Sequence, residues 1–214
     1  MSRFILQNSD KGLRLLDRFS RQHPLHINFS DAGFSYRLKR GGGRKEMIAK
    51  AVGVKPLLQV IDCTAGLGRD SFLLASLGCE VVMFERSRVM ALLLEDALRR
   101  ALASEQLAET AGRIRLVYGD ATQLLRRQPS TPQAILIDPM FPAKKRSAQV
   151  KGEMQFLQRF VGKDEDALAL VRCAMATGSK RIVLKRPNAA PEIEDFKPSF
   201  SLKGKSSRFD VFLQ

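Results

Sequence analysis

The chain has 214 residues, 44% hydrophobic and 27% charged, the profile of a soluble globular protein with one large domain or one domain and a small appendage. Thirty-six Lys and Arg stand against 22 Asp and Glu, a net charge of +14. That is beyond the roughly 2–8 that solubility asks of a small domain, and it points to a polyanionic partner, nucleic acid first. No apolar run reaches the ~18 residues that span a bilayer, and the N-terminus lacks an apolar signal core. Cys63, Cys79 and Cys173 are odd in number and scattered, and His23 and His26 have no ligand spacing around them. Neither a disulfide framework nor a metal is expected, and the setting expected is cytoplasmic.

Residues 1–55 read as a small N-terminal α+β extension. Residues 13–19 have the spacing of a short amphipathic helix. Residues 27–29 and 34–38 alternate apolar and polar side chains around Asp31-Ala32-Gly33, which predicts a hairpin. Lys39-Arg40-Gly41-Gly42-Gly43-Arg44-Lys45 brackets three glycines with four cations. It is either a solvated linker or a basic loop able to lie along phosphates. A short helix over 46–52 follows.

From residue 56 to 214 the pattern alternates. Strands are predicted at 57–61, 79–85, 113–118, 134–137 and 181–185, with helices from 70 and over 88–102, 122–127 and 164–176. This spacing implies a mostly parallel sheet with right-handed crossovers. Phe200-Ser201-Leu202 and residues 209–213 flank Lys203-Gly204-Lys205 and read as a closing antiparallel hairpin.

The chemistry gathers at strand ends. Residues 60–70 run from an apolar strand through Asp62, Ala65, Gly66 and Gly68 into the helix opened by Arg69 and Asp70. A strand end, a small-residue loop and a helix start form a ligand cradle. Four successive strands finish on acids, Asp62, Glu85, Asp120 and Asp138. Each alone could be a cap or turn residue. Together they line one edge of an open sheet. Glu85 follows Gly68 by 17 residues, near the spacing of a carboxylate that takes a ribose diol. Asp120 can accept from an adenine amino group, with Ala121 leaving room for the ring. NAD and S-adenosylmethionine both fit a nucleoside there. The Gly-x-Gly-x-x-Gly fingerprint is incomplete at Ser71, and Asp62 with Asp70 suits a cationic sulfonium better than a pyrophosphate.

Asp138-Pro139-Met140-Phe141-Pro142 resembles the Asp/Asn-Pro-Pro-aromatic motif of amino-methyltransferases. A carboxylate and a proline carbonyl can each accept one N–H of an exocyclic amine. That aims its lone pair, while Phe141 offers a stacking face and Pro142 stiffens the loop. With residues 62–70, Phe84-Glu85-Arg86, Val183-Leu184-Lys185-Arg186-Pro187, Gly41-Gly42-Gly43-Arg44 and Arg208-Phe209-Asp210, the chain resembles the RsmJ-type bacterial small-subunit (16S) ribosomal RNA guanine-N2 methyltransferases over roughly 40–212. The resemblance implies a class I S-adenosylmethionine-dependent methyltransferase fold, Rossmann-like, and methyl transfer to N2 of a guanine. It implies cofactor contacts at Arg69, Asp70, Glu85, Arg86, Asp120, Ala121 and Asp138. Arg44, Lys144, Lys145, Arg146, Lys151, Lys185 and Arg186 are the expected RNA contacts. Other nucleic-acid or protein amines as substrate, an NAD-dependent oxidoreductase and a non-catalytic RNA-binding module are the competing readings.

Overall fold

The computed structural model describes residues 2–31, 33–35, 37, 43–139, 152–161, 167–193 and 195–214. Met140, Phe141, Pro142, Lys144, Lys145, Arg146, Lys151, Gly41 and Gly42 lie outside the described residues, as does the side chain of Arg44.

Strands β1 (Phe4–Ser9) and β2 (Gly12–Asp17) form an antiparallel hairpin with Leu6 opposite Leu15. Helix α1 is Met47–Val52. Then come β3 (Gln59–Asp62), α2 (Arg69–Ser76), β4 (Glu80–Glu85), α3 (Arg88–Leu102), α4 (Ala108–Gly112), β5 (Ile114–Tyr118) and α5 (Ala121–Arg126). After β6 (Ala134–Ile137) lie α6 (Gly152–Val161), α7 (Ala167–Met175), β7 (Arg181–Pro187), β8 (Phe200–Lys203) and β9 (Ser207–Leu213). One seven-stranded sheet has the order β5-β4-β3-β6-β7-β9-β8. Its first five strands are parallel, and β9 runs antiparallel to both neighbours. The chain travels outward from β3 through β4 to β5, then returns to the far side of β3 as β6. Ligands in open α/β sheets bind at such a reversal, beyond the carboxyl ends of the strands.

All four residues of β6 are buried, as strands covered on both faces should be. On one face Phe72, Leu94, Met83 and Val183 pack together, and Leu15, Leu25, Ile27 and Phe29 belong to the same cluster. Phe29 stacks on Phe72 with ring centroids 4.3 Å apart. The N-terminal segment is thus continuous with the main core. On the other face Ile61, Ile135, Ile182, Leu170 and Phe212 pack together.

Two expectations for the N-terminal segment need correction. Residues 13–19 are not a helix; most of them form β2. Leu13-Arg14-Leu15-Leu16 satisfies both periods, and pairing with β1 decides for the strand, burying Leu15 and Asp17 on one side. Residues 33–35 are helical, not a strand, and bury Phe34 against Phe29 and Phe72. Helices α4 and α6 and strand β1 were not expected. A third correction concerns Arg186, placed among the RNA contacts. Its side chain is only 7% exposed and its Nε donates to Asp210 at 2.9 Å. Arg208 donates to the same carboxylate and to the carbonyls of Asn188 and Ala190. Register puts both arginines opposite one another across β7 and β9, and the buried carboxylate there compensates them. No helix among the described residues is long and apolar enough to cross a membrane.

Candidate active site

Four carboxylates stand side by side at the rim in the order Asp120, Glu85, Asp62, Asp138, because β5, β4, β3 and β6 are neighbours. Asp62 is 3% exposed. It accepts the Thr64 N–H at 3.0 Å and the Ser71 hydroxyl at 2.6 Å. Burial pushes its carboxyl up to about 6 against those two hydrogen bonds, and the charges of Asp70 and Asp138 add to the rise. Glu85 accepts the Ser87 N–H at 2.7 Å on Oε1 and the Gly66 N–H at 3.2 Å on Oε2. Burial raises it to about 7. Asp120 caps α5, accepting from the N–H groups of Thr122 and Gln123. The Thr122 hydroxyl is first among the groups that hold its carboxyl below the ordinary value.

The edge encloses a cavity of about 340 Å³, within the range of small-ligand sites. Every sequence-predicted cofactor residue lines it except Gly68, and Pro139 joins them. Gly68 faces the core. A Cβ there would lie 2.8 Å from Leu94 and 3.1 Å from Phe29. Its φ of 70° starts α2, so the residue serves the turn and the packing. Gly66, with φ 54°, has only ordinary contacts around its missing Cβ, and there the backbone is open to a ligand. Apolar walls come from Phe84, Met90, Leu157 and Leu170.

Three cavity residues carry roles that the sequence did not give them. The Thr64 hydroxyl accepts the Asp138 N–H at 2.7 Å, fastening the β3 loop to the end of β6. Arg37 donates to Asp70 at 3.0 Å and to Glu46 at 2.7 Å. Lys185, expected to meet RNA, instead reaches into the cavity with Nζ 2.6 Å from Asp138 and 3.3 Å from Asp70. Burial would raise Asp70, yet Lys185 and Arg37 hold it below its ordinary value. The same carboxylates hold the Lys185 ammonium above its ordinary range against burial. Among the described residues no three His, Cys, Asp or Glu side chains could hold a metal ion.

The site suits a cationic nucleoside. Carboxylates accept hydroxyl and amino donors, the apolar walls suit a purine ring, and Asp62, Asp70 and Asp138 bring negative charge to the lining. The full chain, residues 1–214, matches a family model described as "Putative SAM-dependent methyltransferase". It is 47% identical over 213 residues to ribosomal RNA small subunit methyltransferase J of Ectopseudomonas mendocina, over 98% of this chain and 82% of that protein. Against the protein of that name from Pseudomonas aeruginosa the identity is 46%, with the same coverage. The crystal structure of the SAM-dependent methyltransferase NGO1261 from Neisseria gonorrhoeae matches with a TM-score of 0.76 at 35% identity. That match covers 97% of this chain and 81% of the other.

Proposed function

The chain belongs to the family of SAM-dependent methyltransferases, and from that premise we propose that it methylates the exocyclic N2 of a guanine in small-subunit ribosomal RNA. S-adenosylmethionine supplies an electrophilic methyl group on a positive sulfur. The observation that carries the reading is the row of strand-end carboxylates around one cavity, in a chain nearly half identical to proteins named for that RNA.

Glu85, its two oxygens fixed by backbone N–H groups, takes the ribose diol. Asp120 and Ala121 receive the adenine. Ala65, Gly66, Arg69, Asp70 and Arg86 line the remainder of the cofactor's seat, and Asp62 supplies negative charge beneath the sulfonium. Asp138 accepts one N–H of the guanine amine and the Pro139 carbonyl the other. A conjugated amine is a poor nucleophile, and two acceptors favour a pyramidal nitrogen with its lone pair directed at the methyl carbon. As the new C–N bond forms the S–CH3 bond breaks, its electron pair stays on sulfur to leave S-adenosylhomocysteine, and the surplus proton passes from the nitrogen through the Asp138 carboxylate to water. Positioning of this kind can supply about 7–11 kcal/mol. Phe141 and Pro142, on sequence grounds, shape the base pocket. Arg44, Lys144, Lys145, Arg146 and Lys151 are the proposed phosphate contacts. Residues 56–214 are read as the methyltransferase domain and 1–55 as its extension, acting in the cytoplasm.

The test is tritiated methyl transfer to small ribosomal subunits lacking the modification, with mass mapping of the product nucleoside. N2-methylguanosine is expected. Asp138→Ala should cut transfer by at least about 100-fold while RNA binding survives. Undiminished transfer by the variant would sink the assigned role, and binding without any transfer by the wild type would favour a non-catalytic RNA module.

A further inference from the structure

Strands β6 and β7 are parallel, with Ile137 beside Leu184, so the next residues, Asp138 just past the end of β6 and Lys185 still within β7, lie side by side. The Lys185 ammonium lies 2.6 Å from Asp138 Oδ2 and 3.3 Å from Asp70 Oδ2. Asp70, on the first turn of α2, is itself held by Arg37, which also grips Glu46. Asp62 on β3 faces the same space, and its carboxyl feels the charges of both Asp70 and Asp138. Three carboxylates therefore gather in one part of the cavity, with Lys185 bridging Asp138 and Asp70 and Arg37 paired to Asp70. A surface lysine that meets phosphates would have no reason to reach inward here. The Lys185 side chain is 28% exposed, and its Nζ also lies 6.0 Å from the centroid of the Phe209 ring.

We propose that Lys185 is a positioning residue for methyl transfer: its ammonium pins Oδ2 of Asp138, sets the orientation of the carboxylate that the target amine meets, and keeps that carboxylate anionic as the amine binds. The inference rests on the role given to Asp138 above. Without Lys185, Asp138 would lose the cation that pins its Oδ2 and would still feel the negative charges of Asp70 and Asp62. Like charges disfavour ionisation, so the carboxylate would either turn away or take up a proton. A protonated Asp138 loses its place as an acceptor for the amine N–H. Catalysis would then fail progressively as the pH falls.

The experiment measures kcat, KM and S-adenosylhomocysteine affinity for the full chain with Lys185→Met, Lys185→Gln and Lys185→Arg, from about pH 5.5 to 8.5. The expected result is a kcat loss of about 100-fold in the two neutral variants. Both should gain an acid limb in kcat that the wild type lacks, and S-adenosylhomocysteine affinity should change by less than about threefold. Lys185→Arg should recover at least about a tenth of wild-type kcat without the limb. In an Asp138→Asn background, Lys185→Met should add less than about threefold, because a residue that acts through another has nothing left to act on. Overturning results are a full additional loss in the Asp138→Asn background, an unchanged pH profile, or cofactor affinity falling in step with kcat. A wild type that transfers no methyl group, or an Asp138→Ala variant as active as the wild type, would instead bring down the Asp138 reading, and this inference with it.

Discussion

Glu85 and Asp62 are acids that burial weakens. Both are buried and both titrate upward, Glu85 from 4.5 to about 7 and Asp62 from 3.8 to about 6. These two groups therefore bind more protons in the native state than in the unfolded chain between about pH 4 and 7, and the stability they contribute falls as pH rises through that window. A cofactor whose hydroxyls donate to the Glu85 carboxylate favours its ionised form. Binding should then expel protons near pH 6.5. The expected outcome is a Tm of the free protein that drops between about pH 5 and 8. Calorimetry in buffers of different ionisation enthalpy should report proton release when S-adenosylhomocysteine binds. Glu85→Gln should flatten the Tm slope and weaken binding by at least about tenfold, the loss of one good charged hydrogen bond. A Tm that climbs over this interval would contradict the shifts. These two acids were readable from the sequence because each ends an apolar strand. Arg37 was not, since its partner Asp70 lies 33 residues away and nothing local marks the pairing. Lys185 was misplaced for a related reason: a cation after a strand looks the same in sequence whether it turns outward to solvent or inward to a carboxylate.

At the level of elements, the loop between β3 and α2 separates two uses of glycine. Gly68→Ala meets a positive φ and a 2.8 Å contact with Leu94, which should cost about 2–5 kcal/mol. At about 2–4 °C per kcal/mol for a chain of this size, thermal melting should show it plainly. Gly66→Ala meets the positive φ without the clash. It should cost only about 1–2 kcal/mol, yet its new methyl group enters the cavity and should lower S-adenosylhomocysteine affinity at least about tenfold. If the two variants behave alike, the assignment of one glycine to packing and the other to ligand access is wrong. Sequence spacing located this loop but could not tell the two glycines apart, because the contact that distinguishes them comes from Leu94 and Phe29, distant in the chain. The alternation of strands and helices from β3 to β7 was legible for the same reason that β2 was not. Short runs rich in Val and Ile and set between helical stretches admit one reading, whereas four residues with three leucines admit two until a partner strand chooses.

For the whole molecule, the count of 36 Lys and Arg overstates the cations that RNA can meet. Arg186 and Arg208 are buried on Asp210, while Arg37 and Lys185 are spent within the cavity. If about six phosphates are neutralised by the remainder, RNA affinity should fall by roughly four log units per tenfold rise in salt. A titration from low to high potassium chloride checks this, and a flat response would remove the electrostatic basis for RNA binding. The N-terminal hairpin takes part in the same architecture, for Phe4 packs edge-on against Phe160 of α6 at 5.0 Å, and α6 supplies Leu157 and Val161 to the cavity wall. The bond from the Asp138 amide to the Thr64 hydroxyl has a pharmacological corollary. On the proposed reading it holds the seat for the nucleoside and the clamp for the base at a fixed, short separation. An inhibitor that tethers an adenosine to a purine by a brief linker could fill both halves at once, and the rigid stitch would spare it most of the entropy that such bivalent compounds forfeit.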